Sequence, residues 1–317
     1  MSFAELQTSL PLYFNLKLCD SVLDRLMQRV GGVAVQDEQQ AATQLAALPA
    51  GQAREQHVRT RRLTPAPRRL YVGSDGVFYP SREREKLANG KSRALHHEMK
   101  CAAVFWQEAD GRWRKRSMSG RDNVPTFGLR LWRLAVECGM LEADEVIFIS
   151  DGGSWCETVW ATYFRDAVRI LDWYHLSEHV WKAARALYAD ENACGRWAHG
   201  ALDVLEESSG IGLLRFLKRS RQQRQDDAAA VAAVDELIGY LEPRVAYTDY
   251  VEYKAKGYTI GSGMLESTCK QVVGQRLKGS GRQWSDCGAA AMAQLIVHRL
   301  NDDWNAFWAS RPAHRAA

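Results

Sequence analysis

The sequence predicts an α/β protein: a mixed sheet of three antiparallel strands followed by parallel strands, with an all-α insertion and a short helical N-terminal region. Three observations carry this expectation. From Leu70 the apolar residues leave helical spacing for strand-like alternation, in LYVGSDGVFY, HHEMKCAAVFWQ and RWRKRSMSG. Two buried runs then follow, EVIFISD and VRILDWY, each led into by a helix, VPTFGLRLWRLAVECG and SWCETVWATYFRDA. Between Tyr174 and about Gly257 almost the whole sequence has helical period.

In chain order, SVLDRLMQRVGG reads as a helix ended by its glycine pair, and QDEQQAATQLAAL as a second helix. A polar, arginine-rich connector, 51–69, completes an N-terminal region of residues 1–69. The first part of the sheet domain spans 70–174, with EADG as the turn between the second and third strands. A helical insertion spans 175–256 and contains HLSEHVWKAARALYADENACGRWAHGALDVLEE, GLLRFLKRSRQQRQ and DDAAAVAAVDELIGYLEP, the last closed by Pro243. The sheet domain resumes over 257–300 with the helices GMLESTCKQVVGQRLKG and CGAAAMAQLIVHRLND. A tail, 301–317, carries Trp304, Phe307 and Trp308. Tryptophans 155, 160, 173, 181 and 197 are expected to pack in the core.

With 317 residues, 46% of them hydrophobic and 25% charged, the chain can bury a sizeable core in one large domain with additions, or in two domains. No apolar run approaches the ~20 residues that would cross a bilayer, and the N-terminus lacks the basic-then-apolar pattern of an export signal. The chain is therefore expected in the cytoplasm, without a membrane partner. Its seven cysteines form no CxxC pair, which argues against a disulfide framework or a cysteine zinc finger and for reduced, mostly buried thiols. The net charge of +4 does not identify a partner, but its distribution does more. Arg54, Arg59, Arg61, Arg62, Arg68 and Arg69 crowd one stretch, and 215–224 forms a second cluster. Arg276, Lys278 and Arg282 form a third. Such groups suit a nucleic-acid backbone, although a solvated face explains the 215–224 cluster equally well.

Three strands, then helix, strand, helix, strand is the ribonuclease H-like order, in which the first strand, the fourth strand and a later helix bring acidic residues together. Asp75, Asp151 and Glu266 fall on those elements. Three carboxylates from separate elements can hold two Mg²⁺ ions roughly 3.5–4 Å apart, the arrangement that serves phosphodiester cleavage and transfer. Each acid also has a plainer explanation. Asp75-Gly76 is a hairpin-turn signal, Asp151 could be a loop or cap residue, and Glu266 suits the first turn of any helix. The three plain explanations are independent, so it is their conjunction that favours a site. A competing constellation is His175-Leu-Ser-Glu178-His179, an H-x-x-E-H pattern that would make a zinc hydrolase, while Asp172 as N-cap of a helix explains the same stretch.

The strings YVGSDGV, ISDGGSW, ILDWYHLSEHVW and GYTIGSGMLESTCKQVVGQRLKGSGRQWS, in this order, resemble the ISKra-type bacterial insertion-sequence transposases, relatives of the Mutator-like DDE group. The likeness runs from about Leu70 to Trp308. It implies a DNA transposase with a ribonuclease H-like catalytic domain and two Mg²⁺ ions, with Mn²⁺ able to substitute. It also implies double-stranded DNA, as transposon ends and target, a homo-oligomer on that DNA, and a place in the bacterial cytoplasm at the nucleoid. By match to the family motif, Asp75, Asp151 and Glu266 are catalytic metal ligands, and Asp172 with His175 matches a further signature pair near the site. Arg276, Lys278 and Arg282 look like a phosphate-binding segment. Family members carry a longer N-terminal region than the roughly 70 residues before Asp75, so a shortened copy is one expectation. A DNA-binding protein with an inert core is the alternative function.

Overall fold

The computed structural model describes residues 17–59 and 66–311, so Arg61 and Arg62 of the first basic cluster lie outside the described residues. The chain is mixed α/β, with a five-stranded sheet in the order β3 (Trp113–Gly120), β2 (Ser92–Gln107), β1 (Arg69–Lys86), β4 (Glu145–Ser150), β5 (Val168–Leu171). It divides into two compact units. The first comprises Met1–Leu70, Ser74–Ala143 and Met264–Ala317, and the second comprises Tyr71–Gly73 and Asp144–Gly263.

In the first unit, α1 (Asp20–Ala47) is a single 28-residue helix, not the two expected. The glycine pair does not end it, because Gly31 is a contact residue. A Cβ there would lie 2.5 Å from the carbonyl oxygen of Ala291, on α10 (Asp286–Leu300). The expected connector also holds a short helix, α2 (Gln52–Arg59), whose Val58 is buried and whose Arg54 donates to the carbonyls of Leu48 (3.0 Å) and Ala46 (3.1 Å) at the end of α1.

Strand β1 (Arg69–Lys86) runs unbroken through Asp75-Gly76. The plain turn explanation of that pair is therefore wrong: the carboxylate of Glu98, on β2 (Ser92–Gln107), occupies the place where a Gly76 side chain would be. The turn comes later, where the Leu87 N–H donates to Lys91 O (2.8 Å) around Gly90. β2 pairs antiparallel with β3 (Trp113–Gly120), from Lys100↔Gly120 to Gln107↔Trp113, across the expected turn at Glu108–Gly111.

Helix α3 (Val124–Glu137) starts where the Asn123 side chain accepts from the Thr126 N–H, and it buries Phe127, Leu131 and Leu134. Its buried Arg130 is ion-paired with Asp122, and Arg133 with Glu38 of α1 (2.6 Å). Charge buried this deeply persists only when it is paired.

The second unit contains the parallel pair β4 (Glu145–Ser150) and β5 (Val168–Leu171), in register from Ile147↔Val168 to Ser150↔Leu171, with α4 (Ser154–Tyr163) between them in sequence. The helices α5 (Trp173–Leu187), α6 (Glu191–Gln222), α7 (Ala228–Leu241) and α8 (Tyr250–Ala255) follow, with a 3₁₀ turn at Glu242–Tyr247 that has Pro243 as its second residue. α6 merges two expected helices across a break at Ser209 (φ 57°), whose hydroxyl donates to Asp249 (3.0 Å). Of the tryptophans expected in the core only Trp197 is buried; Trp155, Trp160, Trp173 and Trp181 are half-buried, with Trp173 meeting Tyr250 edge-on and Trp160 lying under the Arg169 guanidinium.

The glutamate helix, α9 (Gly263–Cys269), continues through a π-helical turn (Lys270–Gly274) into Gln275–Leu277. After α10 the expected tail forms a short helix, α11 (Trp304–Ala309), with Phe307 buried. All seven cysteines are free thiols, and five are buried.

Candidate active site

Asp75 sits half-buried on β1. Its Oδ1 accepts from the Gly76 N–H (2.6 Å), and the Cys269 thiol donates to Oδ2 (3.6 Å). Cys269 lies three residues after Glu266 on α9, so the same contact sets the glutamate helix against the strand that carries Asp75. The thiol is held neutral, its pKa pushed far up by a hydrogen bond with Cys101, by burial and by the nearby Asp75 charge. Strand β3 fixes the other side of α9: Lys115 Nζ donates to Met264 O (3.3 Å) and Ser267 Oγ (3.0 Å), and the hydroxyls of Ser117 and Thr268 are 3.1 Å apart. Burial lowers the Lys115 pKa. Glu266 itself is exposed, and among the described residues no hydrogen bond or ion pair holds its carboxylate.

In the second unit Asp151 follows β4 directly, and its Oδ1 accepts from the Gly153 N–H (2.8 Å). The backbone here is clamped by the helical insertion. The Tyr240 hydroxyl donates to Asp151 O (2.7 Å), and Arg244 donates to Gly152 O from Nε (3.0 Å) and Nη2 (2.8 Å) and to Tyr240 O from Nη1 (2.7 Å). Gly152 is required twice over, by its φ of +79° and because a Cβ would meet Arg244 Nε at 2.5 Å. Sequence reasoning missed Tyr240 and Arg244. Neither has a motif, and a lone tyrosine and arginine at the end of an amphipathic helix carry no local signal.

Asp172 caps α5 by accepting from the Tyr174 N–H (2.9 Å), and the Ser262 hydroxyl donates to its other oxygen. Burial raises its pKa against the lowering effect of those bonds. Its signature partner His175 has Nδ1 3.8 Å from Glu178. The rings of His175 and His179 meet edge-on at 5.2 Å, and His179 stacks on Tyr240 at 3.8 Å. Burial, then the His175 charge, lowers the His179 pKa. The H-x-x-E-H stretch is thus a packed helix face. Among the described residues it gathers no set of three candidate ligands.

One cluster does bring three such side chains within 4.8 Å: Glu83, His97 and Asp286. His97 Nδ1 is 2.7 Å from Asp286 Oδ1, the Tyr79 hydroxyl donates to the same oxygen (2.9 Å), and Arg121 pairs with Oδ2. Asp286, in the first turn of α10, is thereby fully engaged, and the cluster clasps that helix to the hairpin.

The basic segments separate on inspection. Arg276 and Arg282 line one cavity of about 470 Å³, whereas Lys278 is exposed and does not line it. In the 215–224 cluster, Lys218 pairs with Glu242 and Arg221 with Asp235, as on a solvated helix face.

Asp75, Asp151 and Glu266 offer only carboxylate oxygens, the hard donors that Mg²⁺ and Mn²⁺ prefer, and among the described residues no cation is tied to the accessible Glu266. The donor set fits those metals. In comparisons with known proteins, the model of the family described as "Uncharacterised protein family (UPF0236)" matches residues 24–307. The search of curated proteins gives no match. Among solved structures, the "Drosophila P element transposase strand transfer complex" matches at 8% identity and a TM-score of 0.27, covering 96% of this chain and 87% of that chain.

Proposed function

The chain belongs to this family, and we propose that it is a DDE transposase of ribonuclease H-like fold that cleaves and joins double-stranded DNA at the ends of an insertion sequence. One observation carries the reading: the three acids lie on β1, directly after β4, and in the first turn of α9, within a sheet ordered β3-β2-β1-β4-β5. The resemblance of the surrounding strings to ISKra-type transposases supports it independently of the fold.

On this reading Asp75, Asp151 and Glu266 are the catalytic residues and would hold two Mg²⁺ ions, or Mn²⁺. When bound, these would supply Lewis acidity to the attacking and leaving oxygens of the phosphodiester. The chain's own residues do the rest. Cys101 and Cys269 keep an uncharged donor on Asp75 that orients its carboxylate. Tyr240 and Arg244 are positioning residues that fix the Asp151–Gly152 backbone. Asp172 and His175, at the start of α5, stand in the same unit as Asp151 as the signature pair. The partners are transposon-end and target DNA, bound by a homo-oligomer in the bacterial cytoplasm. The test is cleavage of DNA that carries the element's own ends, with Asp75→Asn and Glu266→Gln expected to abolish it while folding and DNA binding persist. Equal loss of binding and cleavage in both variants would count against the metal-ligand role.

A further inference from the structure

The loop that follows the glutamate helix is built as a rigid cradle. Arg282 folds back across it and donates from Nη1 to Gln275 O (3.1 Å) and Arg276 O (2.7 Å). It can do so because Gly279 has no side chain: a Cβ there would lie 2.6 Å from the Arg282 guanidinium. The Trp284 indole donates to Leu277 O (3.1 Å) and closes the loop on the helix end. A bridge between Ser81 and Trp284 then ties the loop to β1, with the Arg82 N–H donating to Trp284 O (2.9 Å) and the Trp284 N–H to Pro80 O (3.1 Å).

That bridge sets a third arginine, Arg82, on the wall of the 470 Å³ cavity that Arg276 and Arg282 line. The Arg82 side chain donates to Gln283 O (3.3 Å). Arg82 and Arg282 are therefore oriented by neutral backbone carbonyls, and among the described residues neither has a carboxylate partner. Among the described residues no ion pair neutralises their charge, and guanidinium groups held in this way match phosphate oxygens. Across the cavity Asp20 and Asp24 of α1 also contribute to its lining. Their charge disfavours a multiply charged free anion that fills the space, and tolerates a singly charged phosphodiester lying along the arginine wall.

We infer that Arg82, Arg276 and Arg282 form one phosphate-binding pocket that grips the sugar-phosphate backbone of a DNA strand. That the polyanion is DNA rests on the transposase reading; the pocket itself rests on the loop. Arg82 is the residue this adds, and its side chain lies outside the string that resembles the family motif.

The test is the salt dependence of duplex DNA binding by the wild-type chain, Arg82→Met, Arg282→Lys and Asp151→Asn, with inorganic pyrophosphate as competitor and melting temperature as the control for folding. Each phosphate contact released lowers the slope of log affinity against log salt by about 1. Arg82→Met is expected to melt like wild type, to bind unrelated duplexes more weakly to a similar degree, and to lose about one unit of slope. Arg282→Lys should keep the charge but lose part of the affinity, and pyrophosphate should compete no better than its ionic strength allows. An unchanged slope and affinity in Arg82→Met would overturn the pocket. Pyrophosphate binding that Arg82→Met abolishes, in a chain with no affinity for DNA, would overturn the assignment to DNA. If instead the wild type binds DNA with the Arg82-dependent slope but neither it nor Asp151→Asn cleaves, the pocket stands and the transposase reading fails.

Discussion

Replacing Arg244 by methionine should damage cleavage far more than folding, although the side chain never touches DNA in the proposed mechanism. The guanidinium makes two bonds to Gly152 O and one to Tyr240 O, and it lies 4.7 Å from the Tyr240 ring centre. The two bonds to Gly152 share one acceptor, so the loss amounts to about two charge-assisted hydrogen bonds at about 1.5–3 kcal/mol each, reduced because the side chain is partly exposed. A net cost of about 2–4 kcal/mol within the second unit follows. Freeing the Gly152 carbonyl also lets Asp151 shift, and a displacement of about 1 Å in a catalytic group costs on the order of 100-fold in rate. The assay is a Mg²⁺ titration of cleavage alongside a thermal melt, with Mn²⁺ binding followed by electron paramagnetic resonance as a readout independent of turnover. Arg244→Met should need more Mg²⁺ for half-maximal cleavage and bind Mn²⁺ more weakly, and Arg244→Lys should recover part of both. Normal metal affinity and normal cleavage in Arg244→Met would refute the reasoning.

Gly31→Ala should destabilise the first unit by about 1–3 kcal/mol, because the new methyl meets the Ala291 backbone at 2.5 Å and the gain in helix propensity of about 1 kcal/mol cannot offset that. Gly32→Ala, with nothing within 4 Å, should stabilise the same helix by up to about 1 kcal/mol, and paired urea melts compare the two. Below neutral pH the second unit should weaken. The His179 pKa is lowered in the fold by burial, so the unfolded chain takes up the proton first, and stability is lost as pH falls through the free-histidine value of about 6.5 towards the depressed one. His179→Phe keeps the stack on Tyr240 and should flatten that loss in melts between neutral and mildly acidic pH, though His298, shifted the same way in the first unit, will leave a residue of it. Tyr240→Phe removes a single hydrogen bond, to Asp151 O, and should cost about 0.5–1.5 kcal/mol in stability together with a smaller rise in Mg²⁺ requirement than Arg244→Met.

The order of strands and helices was legible because it is written in local period, which side chains alternating on a sheet or recurring every third or fourth residue impose directly. One error has a clear cause: Gly31-Gly32 looks like a stop signal, yet a Cβ at Gly31 would run into the backbone of the distant Ala291. Non-local contact leaves no trace in a short window. The same limit hid Tyr240 and Arg244, which act through the backbone of residues far away in sequence, and hid the Glu83–His97–Asp286 clasp, drawn from three separate elements. Asp151 and Glu266 were visible because they lie at element boundaries, and all three acids sit in strings long enough to be distinctive. The H-x-x-E-H pattern misled in the opposite way, since correct helical spacing places two histidines together whether or not a metal ever joins them.

The most direct test of the central claim is Mg²⁺-dependent cleavage of DNA carrying the element's own ends, wild type against Asp151→Asn, with DNA binding measured in parallel. Cleavage by the wild type that Asp151→Asn abolishes, with DNA binding intact in both, is the result predicted here. Cleavage that survives in Asp151→Asn, or DNA binding without cleavage by either protein, would contradict it.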